Sequence, residues 1–458
     1  MRLTWVQPED LVAHALVQAA ADGVDVGAVA DSWASAGGSL VAEASGASAG
    51  PAVAPLRELA GELLDRLDRL TAERAGRSAA SIDQPDELAG IQAQWTPRPA
   101  LPVVADLDRL HGGWLGRAAG CLLGKPVEKI PRAGIRAIAE ATGNWPVRGY
   151  FTAAGLPAEI GDRWPWNRRS RPTSLVENIA GMPEDDDLNF AMLALELLEQ
   201  HGERLRTEHV AQAWLNNLPA GRVFTAERAS YRNLLNAVAP ERAALIHNPF
   251  REWIGALIRA DVHGWAHPGD PRAAASSAHP DAWLSHRRNG LYGALFVAAM
   301  SASALVANDI DTVLDDGLSV VPPRSALAGA VRHGVALGRS GRSLDEALDE
   351  LHASYGALHW VHVVNNSALI AYALTAARGE FSTATGIAVM GGWDTDSAGA
   401  TVGAVCGALS GAAALPDAFV APLQNRVASS LPGFDGIGFD ELARRTAAVA
   451  ARHTGRQP

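Results

Sequence analysis

The sequence predicts an all-α protein carrying an N-terminal helical extension. Two observations carry that expectation. Apolar residues recur at helical spacing through most of the chain, and alternating strand patterns are few and short. A chain of 458 residues is also long enough to bury a substantial core.

Residues 1–95 read as an Ala-rich helical extension. Leu56, Leu59, Leu63, Leu64, Leu67 and Leu70 recur at helical spacing with Arg, Glu and Asp between them. Such a stripe suits packing on the main domain or on a partner helix. Gly37 to Pro55 reads as a loop, and Trp95-Thr96-Pro97-Arg98-Pro99-Ala100-Leu101-Pro102 as a rigid connector. The main domain, 108–458, offers helices at 107–123, 132–142, 187–201, 207–217, 241–260, 290–307, 323–338, 344–354, 363–378, 381–389, 397–413 and 438–452. Between Thr142 and Met182, prolines, Trp145, Trp164, Trp166 and a run of arginines interrupt the periodicity. That region reads as a large structured loop.

The net charge of -11 and pI of about 5.7 argue against a broadly cationic nucleic-acid binder. Lys125 and Lys129 are the only lysines among 39 basic residues. Two cysteines, Cys121 and Cys406, cannot build a disulfide scaffold or a cysteine zinc site, and both lie in apolar, glycine-spaced segments that suit buried thiols. No secretory signal is apparent at the N-terminus, and no apolar stretch reaches the roughly 20 residues of a membrane span. A cytoplasmic protein is expected.

The chemistry concentrates in two acidic clusters. Glu184-Asp185-Asp186-Asp187 follows Pro183 and opens an apolar helix, where the positive end of the helix dipole favours ionised carboxylates. Four consecutive acids exceed what capping needs. The second cluster, Asp394-Thr395-Asp396-Ser397, follows Gly391-Gly392-Trp393. Asp394 and Asp396 would project about 200° apart on a regular helix, so they converge only from a glycine-flexed loop. If the fold joins the clusters, two charges about 4 Å apart repel by about 4 kcal/mol at an effective dielectric near 20. Oxygen ligands with a Ser hydroxyl suit hard divalent cations, magnesium or manganese, better than zinc.

Gly113, Gly116, Gly120 and Gly124 make one smooth helix face, and Ala398, Gly399, Ala400, Gly403 and Gly407 another; each admits close backbone approach. Glu128 follows the end of the first and faces solvent or the acidic clusters. Two further polar sites, His286 within Ser285-His286-Arg287-Arg288-Asn289-Gly290 and the pair Asn365-Asn366, suit either ligand contact or a core or cap role.

Taken in order, three segments resemble the ADP-ribosylglycohydrolase family: GRAAGCLLGKPVE, PEDDDLNFAMLALELLE and GGWDTDSAGATVGAVCGALSG. The likeness spans roughly residues 108 to 430 and implies a compact all-α bundle with two magnesium ions, or manganese, at the floor of an ADP-ribose cleft. By position, Glu184, Asp185, Asp186, Asp394, Asp396 and Ser397 would hold the metals, and Glu128 would stand near the ribose. Asp186 and Glu128 are the expected proton carriers. Trp164 and Trp166, in the loop to Arg171, would cover adenine and diphosphate, with His286, Asn365 and Asn366 as further substrate contacts. Glu184 stands where the family has Thr and adds a charge; Asp187 replaces a second Thr, and Ser397 a third while keeping the hydroxyl.

The resemblance implies hydrolysis of the glycosidic bond between ADP-ribose, or a related ribosyl group, and a protein side chain or small acceptor. The partner would be an ADP-ribosylated protein or an ADP-ribose-containing small molecule, with no nucleic acid and no membrane. The alternatives are a hydrolase of another N-glycoside, such as a nucleoside-like metabolite, and a non-enzymatic, crystallin-like family member.

Overall fold

Two helices built from small residues set the geometry of the molecule. In the computed structural model, which describes residues 2–75, 83–99 and 103–453, these helices are Leu107–Gly124 and Thr395–Ser410. Their backbones touch along four turns. A Cβ added to Gly112 would lie 2.2 Å from the Gly407 carbonyl oxygen, one on Gly116 2.1 Å from that of Gly403, and one on Gly120 2.0 Å from that of Gly399. At Gly124 it would lie 2.2 Å from the Thr395 carbonyl oxygen. As the residue number rises on one helix it falls on the other, so the pair is antiparallel. The end of the first helix therefore meets the start of the second. Gly113 belongs to a different contact, beneath the Trp265 ring.

Side chains cannot be added to this seam without moving backbone. Gly120→Val is expected to lower stability by about 1–3 kcal/mol, read as a lower midpoint in urea unfolding; an unchanged midpoint would contradict the close-contact account.

Among the described residues there are 22 α-helices and no strand, only isolated bridges such as Met182 with Val427. No helix among them is long and apolar enough to cross a membrane. Most expected helices form, including Asp186–His201, Thr207–Asn217, Arg288–Ala304, Val363–Ala376 and Phe439–His453. The helix expected at 241–260 does not. That stretch holds two short 3-10 segments, Pro240–Arg242 and Ile254–Arg259, separated by turns in which His247 takes φ 46° just before Asn248-Pro249. A left-handed residue followed closely by proline ends helical propagation.

Three helices of nine residues or more appear where none was expected: Thr225–Leu235, Pro271–Trp283 and Ile310–Leu318. The first buries Glu227, Arg228 and Asn233 in place of an apolar stripe. Asn233 Nδ2 donates to the Ala243 and Ile246 carbonyls at 2.8 and 2.7 Å, so that burial leaves its amide satisfied. The second has Pro280 inside it, against the usual rule, and starts with Pro271 after the Asp270 cap.

Residues 142–182 are largely irregular, with short helices at Ala158–Arg163 and Arg171–Ser174. In the N-terminal part, helices Pro8–Ala21, Gly27–Ser35 and Ala54–Ala75 pack together, and Leu63, Leu64 and Leu67 are buried. Gln18 donates to Glu252 at 2.8 Å, Arg288 to Asp22 at 2.7 Å, and His247 lies 2.8 Å from Asp65, so this part is seated on the main body. Ala100, Leu101 and Pro102 of the expected connector lie outside the described residues.

Candidate active site

The antiparallel glycine pair delivers Lys125 and Glu128 to the N-terminus of the Thr395–Ser410 helix, where the Thr395 hydroxyl donates to the Gly124 carbonyl at 2.9 Å. Asp394 lies just outside that helix (φ -89°, ψ 81°), after Gly392 and Trp393 in left-handed conformations. Its N–H donates to Asn366 Oδ1 at 3.3 Å. This turn lets Asp394 and Asp396 converge, which a regular helix forbids. Burial, then Asp396, hold the Asp394 carboxyl well above the ordinary carboxylate range.

The Asp186–His201 helix brings the other cluster to the same place. Asp185 caps it, accepting from the Asp187 N–H at 2.9 Å, and pairs with the buried Lys125 ammonium. Asp186 faces the cavity; burial, followed by Asp185 and Asp396, pushes its carboxyl well above the usual range. Asp187 turns inward. The Arg117 guanidinium holds its carbonyl at 2.8 and 2.9 Å, and Ser397 Oγ donates to its Oδ2 at 3.2 Å. Donor atoms of Asp185, Asp187 and Cys121 lie within 4.8 Å of one another. Burial pushes the Cys121 thiol up from its ordinary range.

Glu184 is engaged differently. Its Oε1 accepts from the Ser430 N–H at 3.0 Å, the Ser430 hydroxyl and Asn189 Nδ2 at 3.1 Å; its Oε2 lies 2.9 Å from Arg222. Glu128 Oε2 accepts from Asn167 Nδ2 at 2.5 Å, with the Lys129 ammonium 3.3 Å from Oε1. Burial, then Asp396, raise the Glu128 carboxyl to about 7.

Glu128, Glu184, Asp185, Asp186, Asp394, Asp396 and Ser397 all border one cavity of about 820 Å³, a volume in the range of small-molecule sites. Trp164 lines it as well. Trp166 does not: it is buried edge-on against Phe151, 6.0 Å between ring centres. His286 is also off the cavity, fully buried with Nδ1 2.8 Å from Ser285 Oγ, and burial pushes its pKa well down. Asn365 and Asn366 support the neighbouring loop, donating to the carbonyls of His359 at 3.2 Å and Trp360 at 2.9 Å. Trp166, His286, Asn365 and Asn366, expected as substrate contacts, do not border this cavity.

Sequence reasoning overlooked Lys125, Asn167 and Arg117. The one available signal was the rarity of lysine, since both lysines flank this site. Removing the Lys125 ammonium strands the buried Asp185 carboxylate. Lys125→Met is expected to cost about 3–5 kcal/mol of stability in EDTA, measured by urea unfolding. Stability equal to that of the parent chain would show that the ion pair does not hold this end of the site together.

A sequence model described as ADP-ribosylglycohydrolase matches residues 102–456. The chain belongs to the ADP-ribosylglycohydrolase family. Members of this family are hydrolases. No curated protein matches the chain. Among solved structures, it is similar to an ADP-ribosylglycohydrolase-related protein complex at 21% identity and a TM-score of 0.47, over 76% of this chain and 98% of that one.

Proposed function

We propose that this ADP-ribosylglycohydrolase family member is a divalent-cation-dependent hydrolase releasing ADP-ribose, or a related ribosyl group, from a protein side chain or a small acceptor. One observation carries the reading. Asp186, Asp394 and Asp396 converge from two helix N-termini, and no ion pair among the described residues reaches any of them. Carboxylates crowded together without a cationic partner call for cations or protons.

The donor set of Asp185, Asp186, Asp394, Asp396 and Ser397 is all oxygen and suits the two magnesium ions, or manganese, that the resemblance implies. Glu184 has both oxygens occupied by Ser430, Asn189 and Arg222, and we assign it to shaping the rim. Bound there, such cations supply Lewis-acid polarisation of ribose hydroxyls and of water.

The side chains themselves cover the remaining tasks. Glu128, fixed by Asn167 and raised to about 7, is partly protonated near neutrality. It can give a proton to the leaving group and take one from water. Asp186 is the second proton carrier, and the carboxylates around it favour an oxocarbenium-like transition state. Arg168, Arg169 and Arg222 border the same cavity and offer donors to a diphosphate; Trp164 offers a ring to adenine.

Glu184 with its Arg222 partner favours a second reading, hydrolysis of another N-glycoside such as a nucleoside-like metabolite, because the family's Thr is replaced there by an ion pair. Retention of the acidic set weighs against a crystallin-like role. The test is a turnover panel of ADP-ribosyl-arginine, ADP-ribosyl-serine, O-acetyl-ADP-ribose and poly-ADP-ribose. Hydrolysis of at least one, lost in EDTA and restored by magnesium or manganese, is expected. Turnover indifferent to EDTA would remove the metal assignment, and inertness on the whole panel with hydrolysis of nucleosides would establish the second reading.

A further inference from the structure

The first hundred residues lie outside the stretch matched by the family model, yet Thr4, Trp5 and Ser45 border the cavity that holds the acidic centre. They are held there by contacts to both of its sides. The Thr4 hydroxyl and carbonyl accept from Arg228 at 2.6 and 3.2 Å, and that guanidinium lies 4.9 Å from the ring of Phe224, itself a cavity residue. The Ala44 carbonyl accepts from Trp360 Nε1 at 3.2 Å. The Trp360 ring lies 5.5 Å from the Lys129 ammonium, which in turn pairs with Glu128. One end of this N-terminal wall thus meets the side bearing Arg228 and Phe224, the other the side bearing Glu128.

The two pieces are also locked to each other and to the core. The Trp5 N–H donates to the Gly46 carbonyl at 2.7 Å, and a Cβ on Gly46 would lie 2.2 Å from the Trp5 ring. Trp5 is buried, edge-on to Phe250 and Trp253 at 5.3 and 5.6 Å. A segment fixed this firmly is a wall of the cavity in its own right.

We propose that residues 4, 5 and 45 contact the bound ligand, making the N-terminal extension a specificity element of the enzyme. This rests on the glycohydrolase reading above. Ser45 is exposed, so Ser45→Trp adds bulk to the cleft without disturbing the core. Val41, 77% exposed and off the cavity, gives the matched control Val41→Trp.

The experiment is calorimetric titration of the full-length chain and both variants with ADP-ribose in magnesium. Ser45→Trp is expected to weaken binding by about tenfold or more, with Val41→Trp equal to the parent. Equal affinity for all three chains would overturn the wall while leaving the glycohydrolase reading standing. A parent chain that binds no ADP-ribose would overturn both.

Discussion

Asp396→Asn is expected to lose about 10²–10³-fold or more in kcat, because each 1.36 kcal/mol of lost transition-state stabilisation is a factor of ten and a cation centre supplies several kcal/mol. The substitution keeps the shape and the acceptor oxygen for the Ser397 N–H, which now reaches Oδ1 at 3.0 Å. What it removes is one negative charge among Asp185, Asp186 and Asp394. The helical circular-dichroism signal should stay unchanged, since Asp396 lies in the first turn of a helix held by its glycine seam. Full activity in this variant would remove Asp396 from the centre.

Glu128→Gln is expected to lower kcat by about 10²–10⁴-fold, the span of general acid–base contributions. The amide can still accept from Asn167, so the side chain should remain in place while losing the ability to exchange a proton. Magnesium affinity should be nearly unaffected, because Glu128 is outside the proposed ligand set. Steady-state kinetics beside magnesium titration separate the two effects. Equal losses in both would make Glu128 a metal ligand, and unchanged kcat would deny it a proton-carrying role.

The parts of the site that were legible in the sequence are those dictated locally. Acids placed at helix starts, and glycines every fourth residue, follow from helix geometry alone, and both clusters do meet at the end of the glycine seam. What was hidden depends on partners distant in the chain. Nothing near Glu184 indicates that Ser430 and Arg222 occupy its oxygens. Nothing near Asn167, inside a loop conspicuous for its Trp and Arg residues, marks it as the donor to Glu128.

The same distinction explains the helices. Thr225–Leu235 was obscured because its buried Glu227 pairs with Arg259, so the core accepts charge where an apolar stripe is the usual signal. The stretch 241–260 has apolar residues suited to a helix, but Pro249 and the left-handed His247 divide it into turns. Asn366 is a polar residue inside the otherwise apolar helix Val363–Ala376. Its use, accepting from the Asp394 N–H and so fixing the second acidic turn, needed the fold to be seen.

The central claim is that side chains from two remote helix starts jointly hold doubly charged ions. Equilibrium dialysis with manganese, on chain first stripped by EDTA, tests it most directly. The parent should retain manganese, and Asp186→Asn and Asp396→Asn, one from each helix start, should each lose most of it. Retention in either variant equal to the parent's, or no manganese bound by the parent, would contradict the shared centre.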